Sequence, residues 1–416
     1  MAAAKGGISR MMNGPKPRVA VVTPFLDRSH GTERIVSEWI EVLAEKFEIH
    51  IYSQELRESD RAKFTWHRVP KLHGPHLFNY LWWFVANQIG RSLDRNFRGM
   101  HYDLVFSPGI NCLDADAISV HILFAEYQQR NAKNLKLASR PLREWPTLIH
   151  RKLYYGLIRF LERRIYTSLP TTLILTARKT SQQLARFYGR NESFAMVYPG
   201  LDLDRFNPAK RSALRSQARR DLALRGDAFA LLLIGNDWRN KGVPTLLDAL
   251  THLRDAPIEL LIVSREDQGE VRAMARERGV EQRIHLLPPR EDVEFYYAAA
   301  DAYAGPSLED SFSMPVAEAM ACGLPVIASS AAGVSEIISD GADGLILQVP
   351  TDAVELAAMI RRLHDDVNLR SRLGENAART AQQYSWQRSG QEVSAILEKV
   401  LQRKMRMAAE PLAQDS

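Results

Sequence analysis

The sequence predicts an α/β protein built from two successive halves, each with an open, doubly wound parallel sheet. Short β-branched apolar runs alternate with amphipathic helical segments along almost the whole chain, which is the pattern of parallel βαβ units. The pattern restarts with a fully apolar run at residues 228–234. The chain has 416 residues, which is too long for one ordinary core and suits two domains.

The elements of each half follow from local periodicity. In the first half, a β-branched run at 18–23 predicts a strand, and the apolar positions after Gly31 predict an amphipathic helix. Further strands are predicted at 49–52, 103–106, 117–120 and 172–175. In the second half, strands are predicted at 228–234, 260–263, 284–287, 302–304, 325–328 and 344–347, with helices at 243–253 and 293–300 between them.

These elements divide the chain into four segments. Residues 1–16 are small, polar and weakly basic, and without the apolar run of a secretory signal they are expected to form a disordered leader. Residues 17–200 and 201–383 are the two predicted Rossmann-like domains. Residues 384–416 are expected to form a helix that crosses back to the first domain, followed by a tail. A ligand is expected at the carboxyl ends of the strands.

The composition fits a globular protein of the cytoplasm. The two cysteines, Cys112 and Cys322, lie in apolar surroundings without metal-ligand spacing, so we expect reduced core residues. No apolar stretch is long enough to span a bilayer. The net charge is +6, and the segment 130–164 carries ten Lys or Arg residues against two Glu residues. This basic segment fits a solvated helix face, an anionic lipid surface or a nucleic-acid patch, and we expect no nucleic acid partner.

The segment 305–325 is the most informative for chemistry. Ser313 is expected to cap a helix at 314–322, Pro315 suits its first turn, and Gly323 is placed to end it in the left-handed conformation. The amino end of this helix suits a phosphate or a sugar hydroxyl. Glu318 should be buried and therefore needs a partner. Vicinal ribose hydroxyls are one candidate, and a Lys or backbone group of the core is the other.

A second loop carries two cations directly after the first strand of the second half. It reads Gly235-Asn-Asp-Trp-Arg-Asn-Lys-Gly242. At the carboxyl end of a strand, Arg239 and Lys241 are placed to bind a diphosphate, the first as a planar fork and the second as a point charge.

These motifs resemble those of the retaining glycosyltransferases of family 4. Asp310–Glu318 resembles the family's carboxylate–seven-residues–carboxylate motif, and Gly31–Arg34 looks like its N-terminal glycine loop. The likeness covers about 18–386, and the loop 235–242 is most similar to lipopolysaccharide-core or exopolysaccharide enzymes. The resemblance implies the GT-B fold, with two Rossmann-like domains facing a central cleft. The first would bind the acceptor and the second the nucleotide sugar.

The resemblance also implies roles for individual residues. Arg239 and Lys241 would bind the donor diphosphate, Glu318 the ribose, and His121 would touch the sugar near the reacting carbon. Donor binding would further involve Gly31, Asp310, Phe312, Ser313 and Met314, and the residues with catalytic roles would be His121, Asp310, Arg239 and Lys241. Two positions depart from the family pattern. Asp310 stands where Glu is usual, with Glu309 before it, and His30 precedes Gly31 where a second glycine is common.

The function implied is retaining transfer of a hexose from a nucleotide-diphosphate sugar to a glycan or lipid-linked acceptor. With two cations on the diphosphate, no metal or other cofactor is expected; Asp114-Ala-Asp116 has a metal-like spacing but lies within the approach to a strand. A nucleotide-sugar epimerase of similar architecture and a non-catalytic nucleotide-sugar-binding subunit stay open. A nicotinamide dehydrogenase is excluded because no Gly-x-Gly-x-x-Gly follows either first strand.

Surface features bear on the acceptor. The aromatic segment 77–89 and the basic stretch after His121 both lie in the first half. Together they suggest a lipid-linked acceptor and peripheral contact with the inner face of the cytoplasmic membrane. A core helix beside a solvated basic helix explains them equally well.

Overall fold

The computed structural model describes residues 15–27, 31–57, 61–72, 74–130, 143 and 145–409. Parts of three predicted segments lie outside the described residues. They are most of the leader, the end of the tail after 409, and residues 131–142 and 144 of the basic segment. The chain divides into two compact units. Unit 1 comprises 1–198 and 387–416, and unit 2 comprises 199–386.

Unit 1 contains a seven-stranded parallel sheet. Its strands are β1 (Arg18–Val22), β2 (Phe25–Leu26), β3 (Glu48–Ser53), β4 (Glu55–Leu56), β5 (Phe64–Arg68), β6 (Leu104–Pro108), β7 (Ala117–Val120), β8 (Thr172–Leu175) and β9 (Phe194–Met196). The sheet order is β5-β3-β1-β6-β7-β8-β9, while β2 pairs with β4. The helices before unit 2 are α1 (Gly31–Leu43), α2 (His76–Arg98), α3 (Phe124–Arg130), α4 (Trp145–Tyr166) and α5 (Arg178–Tyr188), with a 3₁₀ turn at Arg61–Lys63.

Unit 2 contains a six-stranded parallel sheet. Its strands are β10 (Phe229–Ile234), β11 (Ile258–Val263), β12 (Ile284–Leu287), β13 (Ala302–Gly305), β14 (Val326–Ser329) and β15 (Leu345–Leu347), in the order β12-β11-β10-β13-β14-β15. The helices are α6 (Pro208–Asp221), α7 (Val243–Thr251), α8 (Gly269–Glu277), α9 (Glu294–Ala299), α10 (Met314–Ala321), α11 (Ala353–Asp365) and α12 (Val367–Ala381), with 3₁₀ turns at Glu281–Arg283 and Gly333–Ile337. A last helix, α13 (Trp386–Ala409), follows.

The predicted architecture is confirmed, and both sheets have the strand order of doubly wound folds. In each sheet the order reverses beside the first strand, between β1 and β6 in unit 1 and between β10 and β13 in unit 2. Central strands such as β11 are buried along their whole length, which explains their continuous apolar runs. The strands β5 and β9 were not predicted. Both lie at an edge of the sheet and are partly exposed, so they lack the apolar run that marks a buried strand.

The helix α13 leaves unit 2 and packs within unit 1. Trp39 of α1 donates its indole N–H to the Ser389 hydroxyl at 2.6 Å. Gly390 lies against Val42 so closely that a Cβ at 390 would be 2.5 Å from the Cβ of Val42. Val393 and Leu397 on the same face are buried. The chain end therefore completes the core of the first unit.

None of the helices in the described ranges combines the length and the apolar character needed to cross a membrane.

Candidate functional site

In unit 2, two loops leave neighbouring strands at the point where the strand order reverses. Residues 235–242 follow β10 and residues 306–313 follow β13, and these strands pair with Leu231 opposite Ala302. Because parallel strands end at one edge of a sheet, both loops lie at the same edge. This edge is where doubly wound folds bind ligands.

The first loop is a tight turn that depends on Gly242. The Lys241 N–H donates to the Asp237 carbonyl at 2.8 Å, and the Val243 N–H donates to the Trp238 carbonyl at 2.9 Å. Gly242 has a φ of 79°, and a Cβ there would lie 2.2 Å from the Pro306 carbonyl oxygen. Only glycine accepts both the left-handed backbone and this approach of the second loop.

The two loops are joined by hydrogen bonds and one ion pair. The Asn240 side chain donates to the Glu309 carbonyl at 2.8 Å, and the Leu308 N–H donates to the Asn240 carbonyl at 2.7 Å. The Lys241 ammonium pairs with the Asp310 carboxylate at 2.5 Å, and their side chains are only 19% and 12% exposed. The structure thus brings together two of the predicted site residues, 69 positions apart in sequence.

Arg239 is held differently from Lys241. Its guanidinium lies over the ring of Trp238 at 4.7 Å from the centroid, and it pairs with Glu270 in the first turn of α8. The Arg239 side chain is 68% exposed. Surface ion pairs contribute little stability, so exchange of Glu270 for an anionic ligand costs little.

The predicted cap of α10 by Ser313 is wrong. Ser313 stands at the N-cap position but has the left-handed backbone angles φ 78° and ψ 70°, and its side chain accepts no cap hydrogen bond. The reason is local: Pro315 has no N–H to donate, and the Val316 N–H bonds to the Ser313 carbonyl at 3.2 Å. The left-handed end at Gly323, with φ 72°, is as predicted.

The loop before α10 is anchored through its carbonyl groups. The Asp310 carbonyl accepts from the Gly333 N–H at 3.1 Å, and the Phe312 carbonyl accepts from the Val334 N–H at 2.7 Å. The side chain of Ser313, the N-cap residue of α10, makes no cap hydrogen bond. The positive end of the dipole of this helix suits an anion or a sugar hydroxyl.

Glu318 lies in the middle of α10 and is buried, as the sequence predicts. The hydroxyl of Tyr297 on α9 donates to its Oε2 at 2.8 Å. Burial, together with the nearby Glu318 charge, raises the pKa of Tyr297 well above its ordinary value, so the phenol stays a donor. The sequence does not predict this contact, because nothing in the run Phe295-Tyr-Tyr297 distinguishes Tyr297 from a core aromatic.

The two remaining predicted residues, Gly31 and His121, lie in unit 1. Gly31 is the exposed first residue of α1, and a Cβ there would meet no described atom within 4 Å. His121 follows β7 and is buried, with Nε2 at 3.1 Å from the Ser119 hydroxyl. Its Nδ1 has no hydrogen-bond partner among the described residues. Burial lowers the pKa of His121 to about 4, so the ring is neutral at neutral pH.

Unit 1 also has a cavity of about 250 Å³ at the carboxyl ends of β1 and β6. Aromatic side chains of three helices form much of its wall: Tyr80, Phe124 and Tyr154. Thr23 and Asn111 add polar groups, and Glu33 is the only charged residue among the described ones that line it. Aromatic faces beside neutral polar groups suit an uncharged, sugar-like ligand.

The carboxylates with metal-like spacing have partners of their own. Asp114 binds Arg91 through both oxygens, at 2.7 and 2.9 Å. Asp116 accepts from the Val105 N–H and from Lys404, each at 2.8 Å. Within the described part of the chain, no group of three or more His, Cys, Asp or Glu residues is arranged to hold a metal ion.

Both cysteines are buried and unbridged, as the sequence predicts. Burial raises the pKa of the Cys112 thiol to about 12 and that of Cys322 still further. Neither thiol is therefore ionised near neutral pH, and neither resembles an activated nucleophile.

The fold is that of the GT-B class of glycosyltransferases. The structure of WaaG, a glycosyltransferase involved in lipopolysaccharide biosynthesis, matches with a TM-score of 0.74 at 20% identity, covering 91% of this chain and 99% of that one. Anabaena Alr3699/HepE, solved with UDP and glucose, matches with a TM-score of 0.67 at 17% identity over 92% of this chain and 100% of that one.

Within that class, the chain carries a glycosyl transferases group 1 domain. Residues 228–366 match the family model of that description. A D-inositol 3-phosphate glycosyltransferase of Xylanimonas cellulosilytica is 31% identical over 224 residues, which are 51% of this chain and 53% of the relative. The chain thus spans about half the length of this curated relative. These matches confirm the resemblance to family 4 glycosyltransferases.

Proposed function

We propose that the chain is a retaining glycosyltransferase that moves a hexose from a nucleotide-diphosphate sugar to a glycan or lipid-linked acceptor. One observation in unit 2 supports this most directly. Lys241 pairs with Asp310 in the loop before α10, the Ser313 side chain does not cap this helix, and Glu318 is buried within it. The Lys241 cation and the helix dipole suit the diphosphate of a donor. The buried Glu318 carboxylate suits the hydroxyl groups of the same donor.

In this proposal each group contacts one part of the donor. Lys241 and Arg239 bind the diphosphate, and Glu318 accepts hydrogen bonds from the ribose while Tyr297 holds its carboxylate in place. Asp310 and the backbone of 312–314 hold the hexose. The HepE complexes with UDP and glucose show that a protein of this fold binds such compounds, which supports the assignment of ligand class.

Catalysis would come mainly from stabilising the departing diphosphate. Negative charge builds up on the leaving oxygen as the glycosidic bond breaks, and Lys241, Arg239 and the amino end of α10 would stabilise it. One such contact is typically worth roughly 3–4 kcal/mol of barrier. The departing phosphate would take the acceptor proton, and His121, neutral at physiological pH, would act through a hydrogen bond rather than a charge.

The first test is thermal stabilisation by UDP-, GDP- and ADP-sugars, with wild type and Glu318→Ala. A donor at about a hundred times its dissociation constant should stabilise the fold by roughly 2.7 kcal/mol. We expect one nucleotide class to raise the Tm of the wild type and to have little effect on Glu318→Ala. Glu277→Ala, which removes an exposed carboxylate of α8, is the control and should respond like the wild type.

Product analysis then separates the functions that share this site. A retaining transferase yields a glycoside with the donor's anomeric configuration, which NMR of the product reports. Conversion of the donor sugar to its epimer without an acceptor would establish the epimerase instead. If a nucleotide sugar stabilises the fold but the protein neither transfers nor hydrolyses the sugar, the non-catalytic subunit would be favoured. An inverted product would overturn the retaining mechanism.

A further inference from the structure

The helices α2 and α4 form one layer on a single face of the unit 1 sheet. Trp83 of α2 and Ile158 of α4 belong to the same buried core cluster as the strand residues Val22 and Val120. The two helices also contact each other, with the rings of Tyr80 and Tyr154 packed edge to face at 5.9 Å. Their outer sides therefore both point away from the same face of the sheet.

Both outer sides are apolar along their length. On α2 the exposed apolar residues are Phe78, Leu81, Val85, Ile89, Leu93 and Phe97, with 40–81% of each exposed. On α4 they are Trp145, Ile149, Leu153 and Phe160, with 36–63% of each exposed. Most of them recur at intervals of four residues, which places them in a stripe on each helix. We call these ten residues, with the exposed basic residues of α4, the outer face.

The charge on this face has one sign. The acidic residues within 76–98 and 145–166 are Asp94 and Glu162, and both are buried. Asp94 pairs with His67 at 2.9 Å, and Glu162 accepts from the N–H groups of Phe124 and Ala125 at 2.9 and 3.0 Å. The exposed charged residues of α4 are all basic: Arg151, Lys152, Arg159, Arg163 and Arg164.

We propose that the outer face of α2 and α4 binds the surface of a bilayer that contains anionic phospholipid. A helix with an apolar stripe flanked by Lys and Arg lies in the plane of the interface, where the stripe enters the acyl boundary and the cations meet lipid phosphates. A second copy of the chain is a poorer occupant, because it would bring two basic faces together. Tyr80 of α2 and Tyr154 of α4 also line the cavity of unit 1, which, on the proposed function, suits an acceptor whose lipid remains in the bilayer.

Flotation of the full-length chain with vesicles tests this surface without any nucleotide sugar, so its outcome is independent of the donor-site proposal. The vesicles are phosphatidylcholine alone or with about one third phosphatidylglycerol, at low and high salt, because basic contacts to anionic lipid are screened by salt. We expect binding to the anionic vesicles only, weakened by salt.

Two sets of variants locate the contact. Replacing Lys152, Arg163 and Arg164 with Gln should weaken binding by about fivefold per charge. The triple variant Lys210→Gln, Arg220→Gln and Arg272→Gln removes three exposed cations from unit 2 and should leave binding unchanged. Leu153→Ser with Phe160→Ser should also weaken it, whereas Met405→Ser with Met407→Ser, on exposed methionines of α13, should not.

Three results would overturn the proposal. One is that the wild type binds vesicles equally well with and without anionic lipid. Another is that the outer-face variants and the control variants lose the same amount of vesicle binding. The third is a wild-type dimer, seen by light scattering, that Leu153→Ser with Phe160→Ser disrupts while vesicles are not bound. Circular dichroism melts of each variant show whether a loss of binding reflects a loss of folding.

Discussion

At the scale of single residues, backbone conformation sets the geometry of the candidate donor site. Gly242 turns the first loop into α7, and Ser313 turns the second loop into α10, both with positive φ. Since a serine pays a steric penalty in this region that glycine does not, the conformation of Ser313 must be held by its surroundings. The Phe312–Val334 hydrogen bond next to it is one such constraint.

We expect Gly242→Ala to disrupt the contact between the two loops. The new Cβ would overlap the Pro306 carbonyl oxygen, so one loop must shift, and the left-handed backbone is strained by about 1–3 kcal/mol in addition. The variant should lose stabilisation by a nucleotide sugar and show a lower Tm. Gly341→Ala, also at positive φ but with no described atom near its Cβ, controls for backbone strain. Equal donor binding by the two variants would contradict the steric argument.

His121 gives the stability of unit 1 a dependence on pH. Its pKa is lowered to about 4 in the folded chain by burial, against an ordinary value near 6.5. The folded state therefore favours the neutral ring, so the contribution is present above about pH 6.5 and is lost as the pH falls toward 4.

Between pH 7 and pH 5 this loss should amount to about 2 kcal/mol. His121→Gln, which does not titrate, should lose less stability than the wild type over the same interval. Urea denaturation at pH 7 and pH 5 measures the loss in the free energy of unfolding for each protein. Other titrating groups, such as His67, whose pKa is also lowered by burial, contribute equally to both proteins and cancel in the comparison. A loss that is the same in both proteins would show that His121 does not titrate as described.

At the scale of elements, α2 is fixed to the sheet by a polar contact as well as by its apolar side. The Arg91 guanidinium is buried and binds Asp114 in the loop after β6, together with the Asn87 and Gln88 side chains. Arg91 is 2% exposed and Asp114 is 37% exposed. Burial alone would raise the pKa of Asp114, but the hydrogen bonds and charge of Arg91 outweigh it and lower the pKa.

Removing Asp114 and removing Arg91 should lower the free energy of unfolding by different amounts. Asp114→Ala leaves a buried cation without its carboxylate and is expected to cost about 3 kcal/mol or more. Arg91→Met leaves a carboxylate that water can reach and should cost less, about 1–2 kcal/mol. The midpoints of urea unfolding at neutral pH show which of the two variants loses more stability. A larger loss for Arg91→Met would show that packing of the long side chain, rather than charge, dominates.

At the scale of the whole molecule, the chain passes from unit 1 to unit 2 near residue 199 and returns near 387. The returning helix α13 contributes Gly390 to a close contact with Val42 of α1. The stability of unit 1 therefore depends on residues at the far end of the sequence.

Gly390→Ala should loosen this contact and destabilise unit 1 by about 1–3 kcal/mol through overpacking. Gly156→Ala on α4 has no described atom within 4 Å of its Cβ and should be neutral or stabilising by about 0.5–1 kcal/mol. Hydrogen exchange should show faster opening of α1 and α13 in Gly390→Ala, with β10 and β11 of unit 2 unchanged. Faster exchange in both units would show that they do not open separately.

Much of the fold could be predicted, but the contacts of the site could not. Central strands are recognised by continuous apolar runs, whereas the edge strands β5 and β9 lack such runs because they are partly exposed. Glu318 was predicted to be buried because its helical neighbours are apolar. Its partner Tyr297 could not be predicted, since the pairing depends on how α9 packs against α10.

The sequence by itself determined the two doubly wound halves, the loops that carry Lys241 and Asp310, and the helix that contains Glu318 and ends at Gly323. These follow from periodicity and from local backbone preferences, which act over a few residues. Tertiary structure decided that Lys241 pairs with Asp310 and that Arg239 pairs with Glu270. Each of these ion pairs joins segments that are far apart in sequence and that only the folded sheet brings together. Local sequence preferences, which act over a few residues, do not specify such contacts.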